Sequence, residues 1–491
     1  MKYSRKEFIK ITSLASVTAL LNACGISSSD DKTTKTKSIL DSIIQNDTLT
    51  AFKKPNSTDV IYITKDDADY AFLQQGFSKR INTQPKIIAL CLNSKGVQEA
   101  VKLANEEKLK ISIKSGGHCF EGFSSNEGGL VINLSKLNTI SFINETDVSI
   151  DGGCKLGDIY DTLLQNNKLI PAGSCSGVGV SGLTLGGGYG LFSRQYGLTC
   201  DNIIELEIVT AQGELINSNN HPELLWALKG GGNGNFGVVT RFTFKTHPAP
   251  DFFQARRYKA FHLDEARVQT ILKKWFTVTA QLPIHCFSAF VLNGKTLTIL
   301  ITNYQKLSDD ISTVLSDLSK LTDTYKIGGE LKVSSALKVF GGQKKPILFK
   351  NASVGLYKNY ETIETIIPQV LTQVLNGKGL IYQINTLGGN IADKELEAAS
   401  CFAHRQYPYL SELQCYWHND KQTEYHLNQF LEIELLFFDA GINNQYVNYP
   451  SINNPSYELA YYGNNYEKLK GIKRKYDPDN IFNHAQSIKV S

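Results

Sequence analysis

The residues best suited to covalent chemistry are Cys175 and His118, and each stands in a glycine-rich turn. Cys175 lies in a run that holds Gly173, Gly177, Gly179, Gly182, Gly186, Gly187, Gly188 and Gly190. Glycine this frequent leaves little side chain to pack and lets the backbone come close to a ligand. His118 closes the turn Lys114-Ser115-Gly116-Gly117-His118, directly after the alternating apolar pair Ile111 and Ile113, which predicts a short strand. Successive backbone N–H groups in such turns form concavities that hold phosphate oxygens, so the two turns together predict a pyrophosphate-bearing cofactor. A thiolate and an imidazole are both nucleophiles that can bond an electrophilic carbon of that cofactor. The competing reading is a buried structural cysteine and a turn histidine.

Further signatures follow in order. One is Trp226-Ala227-Leu228-Lys229-Gly230-Gly231-Gly232-Asn233-Gly234-Asn235-Phe236-Gly237. The others are Tyr461-Tyr462-Gly463-Asn464-Asn465-Tyr466, Asp477-Pro478-Asp479-Asn480-Ile481-Phe482 and Gln486-Ser487-Ile488 near the C-terminus. With these, residues from about 84 to 248 and from 461 to 488 resemble the FAD-linked oxidases of the vanillyl-alcohol-oxidase superfamily, which carry a PCMH-type FAD-binding domain, and among them the berberine-bridge-enzyme-like oxidases. The resemblance implies FAD held by two covalent bonds, His118 to the 8α-methyl group and Cys175 to ring carbon 6. It also implies cofactor contacts from Lys114, Ser115, Gly116, Gly117 and Cys119, from Val178, Gly179, Gly182, Gly186, Gly187, Gly188 and Tyr189, and from Gly237 and Val238. Two tethers hold the ring where a wide substrate groove could not.

Removing hydride from an alcohol or hemiacetal carbon leaves positive character there, so a base should take the O–H proton in the same event. Tyr446-Val447-Asn448-Tyr449 resembles the family segment whose second tyrosine is the base in carbohydrate-oxidising members, which makes Tyr449 the candidate. A free tyrosine titrates near ~10, so the site must favour phenolate strongly. Asn385 stands where some carbohydrate oxidases carry an Asp that pairs with this tyrosine, and Asn can orient a hydroxyl but cannot accept its proton. Val178, three residues after Cys175, occupies the position that controls oxygen access in plant members. Tyr409, Gln414 and Tyr416 offer the aromatic faces and amides that suit a sugar's C–H and O–H surfaces. Gln414 and Tyr416, two apart, should share one face of a strand.

The elements that must position these residues read as an α+β chain of two domains. Ser94 is the expected cap of a helix whose apolar face is Val97, Ala100, Val101 and Ala104. Strands are expected at 129–134, 148–152 and 203–210, and beyond residue 251 at 287–292, 296–302, 380–385, 413–417 and 431–438. Helices are expected at 268–279, 307–321 and 362–375, the last with Pro368 as kink or true start. In the tail, Leu469, Ile472 and Tyr476 share a helix face that Asp477-Pro478 terminates. The expected organisation is a signal peptide over 1–23, a tether over 24–45, an FAD-binding domain over 46–250, a substrate domain over 251–450 built as an antiparallel sheet flanked by helices, and a return of 451–491 to the first domain.

The 491 residues exceed one typical core, and 42% hydrophobic with 20% charged residues describes an ordinary globular protein. Most of the formal charge of +4 resides in Lys2, Arg5, Lys6 and Lys10, opposed there only by Glu7, so the composition gives no reason to expect nucleic acid. That basic start, the apolar run from Ile11 to Leu21, and Leu21-Asn22-Ala23-Cys24 resemble a bacterial lipoprotein signal with Cys24 as the lipidated residue. Ser4-Arg5-Lys6-Glu7-Phe8 also resembles a twin-arginine export motif with Lys6 in place of the second arginine. The apolar run is too short to span a bilayer. The nine cysteines show no CxxC spacing, and no metal site is expected. The leading expectation is therefore an exported, membrane-anchored oxidase acting on an oligosaccharide or another alcohol, with O2 reduced to H2O2. The alternatives are a dehydrogenase passing electrons to another acceptor or acting on a natural-product small molecule, and a non-catalytic glycan-binding lipoprotein.

Overall fold

In the computed structural model, residues 52–343 and 345–491 are described, and 57–491 form one compact unit. The signal segment, Cys24 and the whole of the tether lie outside the described residues.

The N-terminal half builds two sheets. Buried apolar runs place Val60–Ile63, Ile87–Cys91, Leu130–Asn133 and Ile111–Lys114 side by side in that order, the first pair antiparallel and the others parallel. A parallel pair needs a crossover. The helix Ser94–Glu106 supplies it, burying Val97, Ala100, Val101 and Ala104 as their spacing predicts. Its cap is Asn93, whose side chain accepts the Gly96 N–H at 3.0 Å, so Ser94 is the first helical residue and not the cap. The second sheet is antiparallel, in the order Ile140–Phe142, Asp147–Asp151, Val238–Lys245, Ile203–Val209, Leu215–Asn217.

A seven-stranded antiparallel sheet dominates the rest. Its order is Thr324–Ile327, Gln254–Ala260, Thr296–Asn303, Cys286–Asn293, Leu380–Thr386, Tyr409–Trp417, Leu348–Tyr357. Side chains alternate faces along a strand. Cys286, Phe290 and Leu292 thus join the core beneath the helices Glu265–Thr279, Ile367–Asn376 and Thr423–Asp439, whereas Phe287 and Ala289 turn toward the first domain. Pro368 lies in the first turn of its helix, so it marks the start and makes no kink. The expected strand at 431–438 is instead part of the 17-residue helix Thr423–Asp439. Its buried residues His426, Phe430, Ile433, Glu434 and Phe437 follow the helical period, which the local alternation of Leu431, Glu432, Ile433 and Glu434 concealed.

The tail packs back into the first core through the helices Tyr457–Tyr462 and Tyr466–Tyr476. Asp477 does more than end the second helix. Its carboxylate pairs with Lys473 at 2.6 Å and accepts the N–H groups of Ile481 and Phe482, while the Lys473 ammonium donates to the carbonyls of Asn235 and Phe482. Both side chains are fully buried, so this pair ties the tail to the Asn233–Gly237 turn. The fold is α+β with two domains, the second sheet and the tail sharing one core and the seven-stranded sheet with its helices enclosing another.

Candidate functional site

The two glycine turns are pressed together. A Cβ on Gly116 would overlap the backbone of Gly179, and one on Gly179 would overlap Gly116 and the Ser115 hydroxyl. Only glycine at both positions lets the turns meet. Gly177 passes over His118, where a Cβ would come within 3.0 Å of Nε2. His118 and Cys175 consequently line one cavity of about 1120 Å³, together with Ser115, Cys119, Val178 and Gly182. Gly182 has open space where a side chain would project, so the cavity reaches its backbone. The volume exceeds the roughly 300–1,000 Å³ of a site for one drug-sized ligand, enough for a dinucleotide and a second molecule.

His118 stacks on Phe77 at 4.3 Å, and burial beside Lys155 lowers its pKa to about 4, which keeps the imidazole neutral. The Cys175 thiol faces the cavity, and enclosure by the surrounding protein, with Glu412 nearby, raises its pKa. It is held as the thiol.

Several expected contacts are placed elsewhere. The Lys114 ammonium donates to the carbonyls of Leu73 and Gln75 at 2.6 and 2.7 Å, so it fixes the preceding segment and does not face the cavity. Gly116 and Gly117 lie behind the wall, Gly117 accepting the Phe77 N–H at 2.9 Å. Gly186, Gly187 and Gly188 admit Asn448, Phe402 and Thr199 in close packing, so these glycines serve chain-to-chain contact. Gly237 and Val239 line the cavity while Val238 is buried in its sheet, because neighbours on a strand face opposite ways.

The opposite wall is one face of the seven-stranded sheet. Gln383 and Asn385 on one strand, Glu412, Gln414 and Tyr416 on the next, and Asn351 on the edge strand all line the cavity. They form a connected row. Tyr416 Oη donates to Gln414 Oε1 at 2.8 Å, Gln414 Nε2 to Gln383 Oε1 at 3.2 Å, and Gln383 Nε2 to Asn385 Oδ1 at 2.9 Å. Tyr409, an odd seven residues from Tyr416, points to the other side, where its hydroxyl meets Thr279 Oγ1 at 2.9 Å beneath the helices. It is a core residue and not a substrate contact.

Tyr449 is held against the glycine run by its own segment. Asn448 donates to the Leu183 carbonyl at 2.8 Å, and Tyr446 Oη accepts the Gly188 N–H at 3.0 Å. The Tyr449 hydroxyl lies 3.0 Å from that of Tyr189. Asn385 reaches this pair through Tyr189, donating to its hydroxyl at 3.2 Å, and does not bond Tyr449. The carboxylate is one strand over, at Glu412, which sequence reasoning missed. Asn385 Nδ2 and Asn351 Nδ2 donate to its two oxygens at 3.1 and 3.0 Å. Only the strand register brings Glu412 opposite Gln383, so spacing along the chain carried no signal for it. Burial raises the Glu412 pKa. Burial also raises that of Tyr449 well above the ordinary phenol value, with Tyr189 and Glu412 adding to it.

Known proteins match this geometry. The family described as "FAD binding domain" matches residues 85–219, and that described as "Berberine and berberine like" matches residues 445–489. An FAD-linked oxidoreductase of Bacillus subtilis is 29% identical over 441 residues, covering 87% of this chain and 96% of the relative. The glucooligosaccharide oxidase of Sarocladium strictum is 26% identical over 477 residues, covering 88% and 93%. The solved structure of a BBE-like protein of Physcomitrella patens superposes with a TM-score of 0.80 at 23% identity, covering 88% of this chain and 97% of that one. The chain is an FAD-linked oxidoreductase, and the glycine turns with the cavity between them fit its cofactor.

Proposed function

We propose that this protein oxidises an alcohol or hemiacetal carbon of an oligosaccharide, or of another alcohol, with O2 as electron acceptor. The observation that carries the reading is the one cavity that His118, Cys175 and the Tyr189–Tyr449 pair share with a row of carboxamides on the facing sheet. Bound FAD would supply the hydride acceptor for the substrate carbon and the route by which the electron pair reaches O2, which leaves as H2O2.

His118 and Cys175 hold the ring covalently in this reading. A neutral imidazole has a free lone pair for bonding the 8α-methyl carbon, whereas Cys175 must first lose its proton; each new bond would replace a C–H bond, its electron pair passing through the flavin to O2, which leaves as H2O2. Gly182 and the neighbouring turn admit the cofactor's backbone-facing part. Gln383, Gln414 and Tyr416 present alternating donors and acceptors to substrate hydroxyls, and the oligosaccharide-oxidase relative supports a sugar as their partner. Tyr449, as a phenolate that Tyr189 Oη stabilises by donating to it, accepts the substrate O–H proton and becomes the phenol.

A second reading of the proton acceptor is favoured by Glu412, a cavity-lining carboxylate whose buried position shifts it toward the range of a general base. Asn385 then orients it. Cys24 completes the proposal at the cellular level, as the lipid-bearing first residue of an exported, membrane-anchored chain.

A panel of mono- and oligosaccharides and aromatic alcohols, incubated in air with peroxide detection, tests the reading. Stoichiometric H2O2 with a lactone or carbonyl product supports it. Turnover only with a quinone or dye acceptor makes the protein a dehydrogenase, and no turnover with any member of the panel removes the sugar and alcohol assignment.

A further inference from the structure

Beneath Tyr449 lies a cluster of buried charges that the oxidation chemistry does not use. Glu121, with 2% of its side chain exposed, accepts from Arg80 Nη2 at 2.8 Å through one carboxylate oxygen. Its other oxygen accepts from the Lys350 ammonium and from the Ile452 backbone N–H, the latter at 3.0 Å. Arg80 Nη2 also donates to the Phe120 carbonyl at 2.8 Å, and its Nε to the Phe349 carbonyl at 3.4 Å. Lys350 reaches Ser451 Oγ at 3.4 Å.

Besides the segment of Arg80, three segments of chain therefore meet on one carboxylate. The first is the turn that ends in His118, three residues before Glu121. The second is the edge strand that carries Phe349, Lys350 and Asn351. The third is the segment that carries Tyr449, three residues before Ile452. The aromatic rings repeat the connection on the cavity side: Phe120 stacks on Tyr449 at 5.4 Å and meets Phe349 edge-on at 5.4 Å. No sequence proximity links these segments, and burial makes the loss of one partner costly for the others. Burial opposes the charge on Glu121, but Lys350 and Arg80 outweigh it and hold the carboxyl below its usual range.

We propose that Glu121 is a positioning residue, a buried ionic pin that sets the distance between the His118 turn and Tyr449 and so aligns tether and base. It touches neither cofactor nor substrate and acts through Phe120, Ile452 and the backbone that joins them. This rests on the roles given above to His118 and Tyr449. Glu121→Gln keeps size and an acceptor for Ile452 N–H but removes the charge that Arg80 and Lys350 face.

The test uses full-length Glu121→Gln, reconstituted with FAD. Relative to wild type, acid-stable flavin per folded molecule should fall at least twofold at equal incubation time. Anaerobic reduction per bound flavin should slow more than tenfold. A double-mutant cycle with Tyr449→Phe should show the Glu121→Gln effect on reduction largely lost when both substitutions are present, since the pin then has no base to align. Wild-type values for both acid-stable flavin and reduction, or strict additivity in the cycle, would overturn the proposal. If Tyr449→Phe alone reduces as fast as wild type, the assigned base is wrong, and acid-stable flavin still reports on the pin at His118. Should Glu121→Gln not accumulate folded, Lys350→Gln, which leaves Arg80 and Glu121 paired, carries the same expected and overturning results.

Discussion

The Tyr449 hydroxyl meets that of Tyr189 at 3.0 Å, and this contact joins the C-terminal segment to the glycine run that carries Cys175. One phenol can donate to the other, so a phenolate at Tyr449 is solvated by Tyr189 inside a cavity that otherwise disfavours charge. Tyr449→Phe removes the acceptor while leaving the ring and its stack on Phe120. Flavin reduction should fall by about 100- to 10,000-fold, the range typical of a general base. Because the phenol pKa is raised well above 10, wild-type reduction should keep rising with pH through the alkaline range. Stopped-flow reduction under argon measures both.

Glu412→Gln separates the two candidate bases. If Tyr449 is the acceptor, removing the buried negative charge eases phenolate formation and reduction should speed up at a given pH. Loss of activity on the scale given above for Tyr449→Phe, with the wild-type rate rising through a carboxyl pKa above 4.5, would assign the proton to Glu412 instead.

The two tethers should form with different pH dependence. Protein denatured in acid should stay yellow for wild type, His118→Ala and Cys175→Ala, and release flavin only in the double variant. With His118 near 4, its imidazole is unprotonated throughout the neutral range, so bonding through it should be insensitive to pH above about 6. The Cys175 pKa is raised above 9, so its thiolate fraction, and the rate of bonding in His118→Ala, should increase with pH across the neutral and mildly alkaline range. Mass spectrometry of flavin-bearing protein over time reads each rate.

Val178 lines the cavity beside Cys175 and is the expected oxygen gate. Val178→Leu adds one methylene there. Reoxidation of reduced flavin by O2 should slow while anaerobic reduction by substrate stays nearly unchanged. Sluggish reoxidation of the wild type would favour a different electron acceptor.

The Lys473–Asp477 pair closes the fold at its C-terminus. Lys473→Met leaves the Asp477 carboxylate buried with two backbone N–H donors and no cation, at a cost of about 3–5 kcal/mol. Thermal unfolding should show it. Cys24→Ser tests the other terminus: the variant should appear in the soluble fraction while wild type partitions to membranes, and equal partitioning would remove the lipid assignment.

His118, Cys175 and the tail motifs were legible in the sequence because their requirements are local. A glycine turn, a helix period or a run such as Asp477-Pro478 constrains residues within a few positions of one another. The shared face of Gln414 and Tyr416 was legible for the same reason, since strand alternation has a period of two. Tyr409 was misplaced for want of strand boundaries: once Tyr409–Trp417 is one continuous strand, parity alone sends it to the other face. Glu412 and Glu121 belong to tertiary structure. Glu412 gains its meaning from the register that sets it diagonally across from Asn385 and Asn351, and Glu121 from three segments, far apart along the chain, that converge on one carboxylate. Register and convergence depend on how whole sheets pack, so no short stretch of chain encodes them.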